Sequence, residues 1–104
     1  MTSIRHYKTP HVVKLDGRYK FYPKFKYRVE FDTRGIDQWR TWMSVCGRCD
    51  DTWGKEYEFI GGNVLAYRKY NENWRTEIPK NKHYRYLYLR SEQDLTLMLL
   101  VIGA

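Results

Sequence analysis

The chain has 104 residues, which is the length of one domain and enough to bury a core without disulfides or a structural metal. It contains only two cysteines, its first residues hold no apolar run typical of a signal peptide, and its longest apolar run is about half of the roughly 20 residues that a membrane helix needs. We therefore predict a single domain over residues 1–104, cytoplasmic and not in a membrane.

Basic residues are concentrated in two parts of the chain. The formal net charge is +7, from 19 Lys and Arg against 12 Asp and Glu. Residues 1–28 hold eight basic residues and one acid, residues 68–90 hold seven and two, and residues 30–58 hold four and seven. This distribution predicts a basic face that meets something acidic, with nucleic acid, an acidic protein surface and anionic lipid all eligible.

The N-terminal third is rich in strand patterns. HVVKLDGRYKFY, residues 11–22, predicts a hairpin that turns at Asp16 and Gly17, a dipeptide that suits two-residue turns. KFKYRVEFD, residues 24–32, alternates cleanly between apolar and charged side chains, which predicts a half-buried strand.

An amphipathic helix follows this strand. Asp32 or Thr33 is a suitable N-cap, and the end is predicted near Cys49, after Gly47. Its apolar stripe recurs at helical spacing and is broadened by three more residues. The stripe consists of Ile36, Trp39, Met43 and Cys46, with Trp42, Val45 and Cys49 beside it.

The segment after this helix predicts two short strands and a loop. YEFI and VLAYRKY, residues 57–60 and 64–70, form either a hairpin or one bent strand around residues 61–63. NENWRTEIPKNK, residues 71–82, is polar and contains Pro79, so we predict a connecting loop there.

The C-terminal segment predicts a strand and a helix. HYRYLYLR, residues 83–90, alternates tyrosine with leucine. Ser91 with Asp94 resembles a capping box that opens a helix through about Val101, although residues 95–102 also fit a buried strand.

This order of elements predicts an α+β fold, a two-layer sandwich of an antiparallel sheet with two helices on one face. The order also matches a ferredoxin-like split βαβ unit that lacks its last strand, with the N-terminal hairpin as an extra edge. The predicted core comprises Phe25, Val29, Phe31, Trp39, Met43, Leu87, Leu89, Leu95 and Met98.

The CxxC pair, Cys46 and Cys49, has three possible interpretations. A redox centre would need the pair at the start of a helix, and here the helical pattern precedes it. A zinc site needs two further ligands, which His6, His11 or His83 would have to supply from distant parts of the chain. We therefore predict two buried, reduced cysteines at the end of the first helix, with no metal and no cofactor.

No spacing in the chain matches a catalytic motif. A small metal-independent nuclease could use His83 with Arg85 or a tyrosine, since a general base and a cation beside a phosphate are the minimum for such chemistry. The pattern is weak, and we predict a protein that is not an enzyme and has no catalytic residues.

Cations interleave with aromatic residues in three stretches, RYKFYPKFKYR, YRKY and HYRYLYLR. Phosphates attract Lys and Arg, and unstacked bases stack on flat rings, so this pattern favours single-stranded nucleic acid. Because Leu87 and Leu89 are better core residues, Tyr84, Tyr86 and Tyr88 are expected on the helix-free face as exposed rings. The predicted nucleic-acid-binding residues are Lys24, Lys26, Arg28, Arg68, Lys69, Tyr84, Tyr86 and Tyr88.

YRYLYLRSEQDLTLML, residues 84–99, resembles the third strand and second helix of RNA-recognition motif domains, where exposed rings stack on bases. The resemblance covers this segment alone, and we interpret it as shared split-unit geometry rather than membership. It implies that RNA is a better ligand than DNA.

Two functions are therefore expected from the sequence. The first is a small basic protein that binds single-stranded nucleic acid, RNA ahead of DNA. The alternative is a protein-binding module or inhibitor, such as a phage or viral accessory protein in a host cytoplasm, that docks on an acidic protein surface.

Overall fold

A computed structural model describes residues 10–16, 24–61 and 67–102 of the chain. Within these ranges the protein forms six strands and two helices, so the predicted α+β class is confirmed. The strands are β1 (His11–Lys14), β2 (Tyr27–Asp32), β3 (Tyr57–Ile60), β4 (Tyr67–Tyr70), β5 (Trp74–Glu77) and β6 (Tyr84–Leu89), and the helices are α1 (Ile36–Trp53) and α2 (Glu92–Ile102).

The strands form two antiparallel sheets. The larger has the order β1-β2-β6-β5, and the smaller consists of β3 and β4. The strand order therefore differs from the predicted one, because the two strands that directly follow α1 pair with each other instead of joining the main sheet. The predicted hairpin turn at Gly17 and its second strand lie outside the described residues, and β1 pairs with β2.

Strand β5 lies inside the segment predicted to be a loop, so that prediction was wrong. Its four residues pair with the end of β6, from Trp74 opposite Leu89 to Glu77 opposite Tyr86. Trp74 is buried, and its indole Nε1 donates a hydrogen bond of 2.8 Å to the Gly54 carbonyl. Trp74 supplies the apolar contact of this short strand, and the other three residues of the strand are polar. Because the segment as a whole is polar, the sequence pattern did not indicate a strand.

Helix α1 begins and ends at different residues from those predicted. Its N-cap is Gly35, with no side-chain capping bond, whereas the proposed cap Asp32 instead accepts hydrogen bonds from Arg34. The helix continues through Gly47 and one turn beyond Cys49, because Trp53 extends the buried stripe. It stops at Gly54, whose φ of 92° lies in the left-handed region that favours glycine.

Both helices pack on the same face of the main sheet. The core cluster joins Leu87 and Leu89 of β6 with Val45 of α1 and Leu95 and Met98 of α2. Seven of the nine predicted core residues are buried, and the remaining two, Trp39 and Met43, are exposed, which corrects the prediction for that helix. The buried stripe of α1 is instead formed by Trp42, Val45 and Cys49.

Helix α2 confirms the capping pattern seen in the sequence. The Asp94 amide donates a hydrogen bond of 3.2 Å to the Ser91 hydroxyl, and the Leu95 amide donates to the Ser91 carbonyl. The helix then continues to Ile102, so the alternative of a buried strand over residues 95–102 was wrong.

Candidate functional site

The helix-free face of the main sheet carries a central row of three tyrosines from β6. Residues that are opposite each other in the register point to the same face. Tyr88 therefore lies between Arg28 of β2 and Arg75 of β5, and Tyr86 lies between Glu30 and Glu77 in the same way. The three tyrosines share the helix-free face, as the alternation with Leu87 and Leu89 indicated.

The three rings differ in exposure. Tyr84 and Tyr86 are half-buried, whereas Tyr88 is 0% exposed, so the expected exposed ring is absent at that position. Its ring lies 6.2 Å from that of Phe25, and its hydroxyl donates a hydrogen bond of 2.5 Å to Glu77 Oε1. Tyr88 therefore stabilises the sheet and is not placed to stack on a base.

The charges on this face are largely paired within it. Arg28 forms an ion pair with Glu30 at 2.8 Å, and its guanidinium carbon lies 4.8 Å from the centroid of the Tyr86 ring. Lys24 contacts Glu72 at 3.4 Å, with both side chains mostly exposed, and Lys26 is also exposed. Exposed pairs contribute little free energy, so Lys24 can exchange this carboxylate for a phosphate.

The smaller sheet, formed by β3 and β4 and called the arm below, has two different faces. Tyr57 is opposite Tyr70 and Phe59 is opposite Arg68, so these four residues share one face. Lys69, opposite Glu58, belongs to the other face. Arg68 and Lys69 were predicted to act together, and the alternation of β4 separates them.

The aromatic face of the arm combines rings with a guanidinium. The guanidinium carbon of Arg68 lies 4.8 Å from the centroid of the Tyr57 ring and 5.6 Å from that of Phe59. The Tyr57 and Phe59 rings meet edge to face at 5.7 Å, and Tyr57 and Tyr70 are 5.8 Å apart. A side-chain hydrogen bond with Tyr70 raises the pKa of Arg68, so the cation is permanent.

This aromatic face is open to a ligand. Tyr57 is 37% exposed and Phe59 is 66% exposed, so both rings could stack on another flat group. Arg68 is also exposed, and its cation stands beside both rings. The arrangement places a charge for a phosphate next to surfaces for bases.

Arg75 connects the arm to the main sheet. It lies beside Tyr88 in the register of the sheet, and its guanidinium carbon is 3.4 Å from the centroid of the Tyr70 ring in the arm. The two aromatic surfaces are therefore adjacent, with one arginine shared between them.

Tyr57, Phe59 and Arg75 were not predicted as site residues. The alternation of tyrosine, glutamate and phenylalanine in YEF was the available signal for the first two, because it places both rings on one face of a strand. Arg75 could not be found this way, since its strand was itself predicted to be a loop.

The two cysteines of α1 lie in different surroundings, Cys49 in the core and Cys46 in a hollow that Tyr57 of the arm also lines. Cys49 is fully buried, with its Sγ 3.4 Å from the Met98 sulfur, and Cys46 is half-buried; both are free thiols. Burial and the nearby Glu56 raise the pKa of Cys46 to about 12, and burial raises the pKa of Cys49 as well. Both thiols are therefore protonated and unreactive near neutral pH.

In residues 10–16, 24–61 and 67–102, no three His, Cys, Asp or Glu side chains lie together as ligands for one ion. None of the helices described there has the length and apolar character to cross a bilayer.

Comparison with known proteins finds no relative for this chain. No protein-family model matches it, and neither a curated protein nor a solved structure is significantly similar to it. We therefore infer a function from the geometry of the arm and the sheet.

Proposed function

We propose that the protein binds single-stranded nucleic acid, non-enzymatically, through the aromatic face of the arm and the adjoining helix-free face of the sheet. One observation carries the proposal: Arg68 stands over two exposed rings, Tyr57 and Phe59, on an arm that projects this face to solvent. Stacking on such rings is available to every base, whereas a duplex keeps its base faces covered.

The remaining predicted residues take different roles in this proposal. Lys24 and Lys26 are exposed and would extend the phosphate path from the base of the arm, where Lys24 meets Glu72. Tyr84 and Tyr86 are half-buried and offer a second, weaker contact surface. Arg28 and Tyr88 support this surface from within, because the first is ion-paired and the second is buried.

The formal charge of +7 supplies the long-range attraction that such a ligand needs. Four or so phosphate contacts would give a slope of about −3 in a log-log plot of affinity against salt for a single strand. Stacking adds affinity that does not depend on salt.

Titration of labelled oligonucleotides at about 50 mM salt tests the proposal, because electrostatic contacts are then weakly screened. Single-stranded RNA and DNA of equal length are compared with the corresponding duplex. We expect a single strand to bind more tightly than the duplex, with RNA ahead of DNA. The absence of binding to any single strand under these conditions would end the proposal.

A second function, docking on an acidic protein surface, is favoured by the two-sided exposure of the arm. Tyr67 is 60% exposed and is paired with Ile60 on the face opposite to Phe59. Large rings exposed on both faces of a hairpin suit insertion into a partner protein. In that case a pull-down from lysate would depend on Phe59 and would be unchanged by nuclease treatment.

We also propose that the main sheet and the two helices form a ferredoxin-like split unit. Apart from the arm, which lies between α1 and β5 in the chain, the succession β2, α1, β5, β6, α2 is compatible with such a unit, and β1 occupies the edge beside β2. The antiparallel pairing of β6 with both β2 and β5 supports this assignment.

A further inference from the structure

Helix α1 carries a second apolar stripe that the protein leaves exposed. Ile36 is 65% exposed, Trp39 is 41% exposed and Met43 is 53% exposed. The spacing of three and four residues places them on one line along the helix, beside the stripe that enters the core. The apolar residues of α1 therefore cover a wider part of the helix surface than the core of one chain buries.

The same line continues into a hollow toward the C-terminal half of the helix. The hollow has a volume of about 530 Å³. Helix α1 lines it with Met43, Cys46, Gly47 and Asp50, and the segment after the helix and β5 complete it with Lys55, Glu56, Tyr57 and Trp74. A Cβ atom on Gly47 would meet nothing within 4 Å. The stripe thus has bulky side chains in its first half and open space in its second half.

We propose that this stripe docks on a second copy of the chain, with the two α1 helices antiparallel around a two-fold axis near Met43. In this arrangement residues whose numbers add up to about 86 face each other. Trp39 of each copy then lies against Gly47 of the other and enters the hollow, and the two Met43 side chains meet at the axis. Because the contact is two-fold, each copy inserts its own Trp39 and receives the Trp39 of the other.

The charges beside the stripe favour the antiparallel direction. Arg40 is exposed near the N-terminal half of the stripe, and Asp50 and Asp51 are exposed at its C-terminal end. In this register the two carboxylates of one copy lie opposite Ile36 and Gly35 of the other, about one helical turn from Arg40, within reach of its long side chain. Parallel packing would instead place like charges side by side, which is unfavourable.

The dimer is argued without the nucleic-acid proposal, although Tyr57 of the arm lines the same hollow, and its test is the mass of the protein in solution. Sedimentation equilibrium from about 1 µM to about 500 µM, in the absence of nucleic acid, should show a reversible monomer and dimer. Met43→Lys should raise the dissociation constant at least about tenfold, because it brings two like charges together at the axis. Leu100→Lys on α2 is the matched control, since Leu100 is 69% exposed, and it should leave the constant unchanged.

A charge exchange tests the direction of the helices and does not rely on a single disruptive change. Arg40→Glu should weaken the dimer about tenfold through repulsion by the two aspartates. Adding Asp50→Arg and Asp51→Arg to the same chain should restore it. Three results would overturn the proposal: a monomer at every concentration, open-ended assembly in place of a dimer, or no recovery in the triple variant while circular dichroism shows it to be folded.

Discussion

The guanidinium of Arg75 lies on the ring of Tyr70, with 3.4 Å between the guanidinium carbon and the ring centroid. The two residues belong to different sheets, β5 in the main sheet and β4 in the arm. Cation–π contacts contribute roughly 0.5 to 2 kcal/mol, so this pair helps to set the position of the arm. Asn71 acts at the same junction, since its Nδ2 donates a hydrogen bond of 2.7 Å to the Trp53 carbonyl at the end of α1.

Arg68→Gln and Lys69→Gln should have different effects on nucleic-acid binding, because the two side chains lie on opposite faces of the arm. Loss of one phosphate contact at Arg68 should reduce the salt slope by about 0.7 for a single strand. Lys69→Gln should leave the slope nearly unchanged. Titrations of the same oligonucleotide at several salt concentrations measure both slopes, and equal changes would show that the aromatic face of the arm is not the binding surface.

Tyr88→Phe should lower the free energy of unfolding by roughly 1.5 to 3 kcal/mol, the usual value for a hydrogen bond to a charged group. The variant removes the hydroxyl that contacts Glu77 at 2.5 Å and keeps the buried ring. Glu77→Gln is the matched control, since its amide oxygen still accepts the bond, and it should cost less. Urea denaturation of the three proteins measures this, and a Tyr88→Phe variant as stable as the parent would contradict the assigned role.

Trp42→Ala and Trp39→Ala distinguish the two stripes of α1. Trp42 is buried and its ring packs edge to face against Phe31 at 5.2 Å, so its removal should cost roughly 3 to 5 kcal/mol. Trp39 is 41% exposed and should cost less than about 1 kcal/mol when the protein is measured dilute enough to be monomeric. The reverse order of stabilities would mean that the sequence-based assignment of the core face was right after all.

This helix also illustrates what the sequence could and could not predict. A spacing of three and four residues locates a helix, but both stripes of α1 satisfy it, and only packing against Phe31 and Leu87 selects one of them. Strand β2 was predicted correctly because one of its faces is apolar. Helix α2 was predicted correctly because Ser91 and Asp94 form a recognisable capping pattern. The sequence could not predict that the aromatic faces of the arm and the main sheet adjoin. Their junction depends on the contact between Arg75 of β5 and Tyr70 of β4, and these two strands belong to different sheets.

Part of the pH dependence of the protein's stability should come from Cys46, in addition to that from the buried Cys49 thiol. The pKa of Cys46 is raised from 9.0 to about 12 in the folded chain, so the unfolded chain loses this proton first as the pH rises. The contribution to stability is therefore complete below about pH 9 and is lost as the pH rises toward about 12. Between about pH 8 and about pH 10.5, Cys46→Ala should lose less stability than the parent, by roughly 1 to 2 kcal/mol. Denaturation at a series of pH values measures the difference, and parallel curves would show that the thiol is not protected.

Gly47 inside α1 and Gly54 at its C-terminal cap should respond in opposite directions to alanine. Gly54→Ala should destabilise the protein by roughly 1 to 2 kcal/mol, because a side chain is strained at its φ of 92°. Gly47→Ala should stabilise it by roughly 0.5 to 1 kcal/mol, since the position is helical and nothing lies within 4 Å of the added methyl group. Thermal unfolding of the dilute variants measures both changes, and destabilisation by Gly47→Ala would contradict the open space around this position.

Glu56 has a consequence for how copies of this protein avoid each other. Its carboxylate accepts the Thr76 amide proton at 2.6 Å and also the Thr76 hydroxyl, while the opposite side of β5 is paired with β6. The Thr76 amide at the outer edge of β5 is therefore occupied by a charged side chain. A strand from another molecule would have to displace this carboxylate before it could extend the sheet. Glu56 therefore opposes edge-to-edge pairing between copies of the protein.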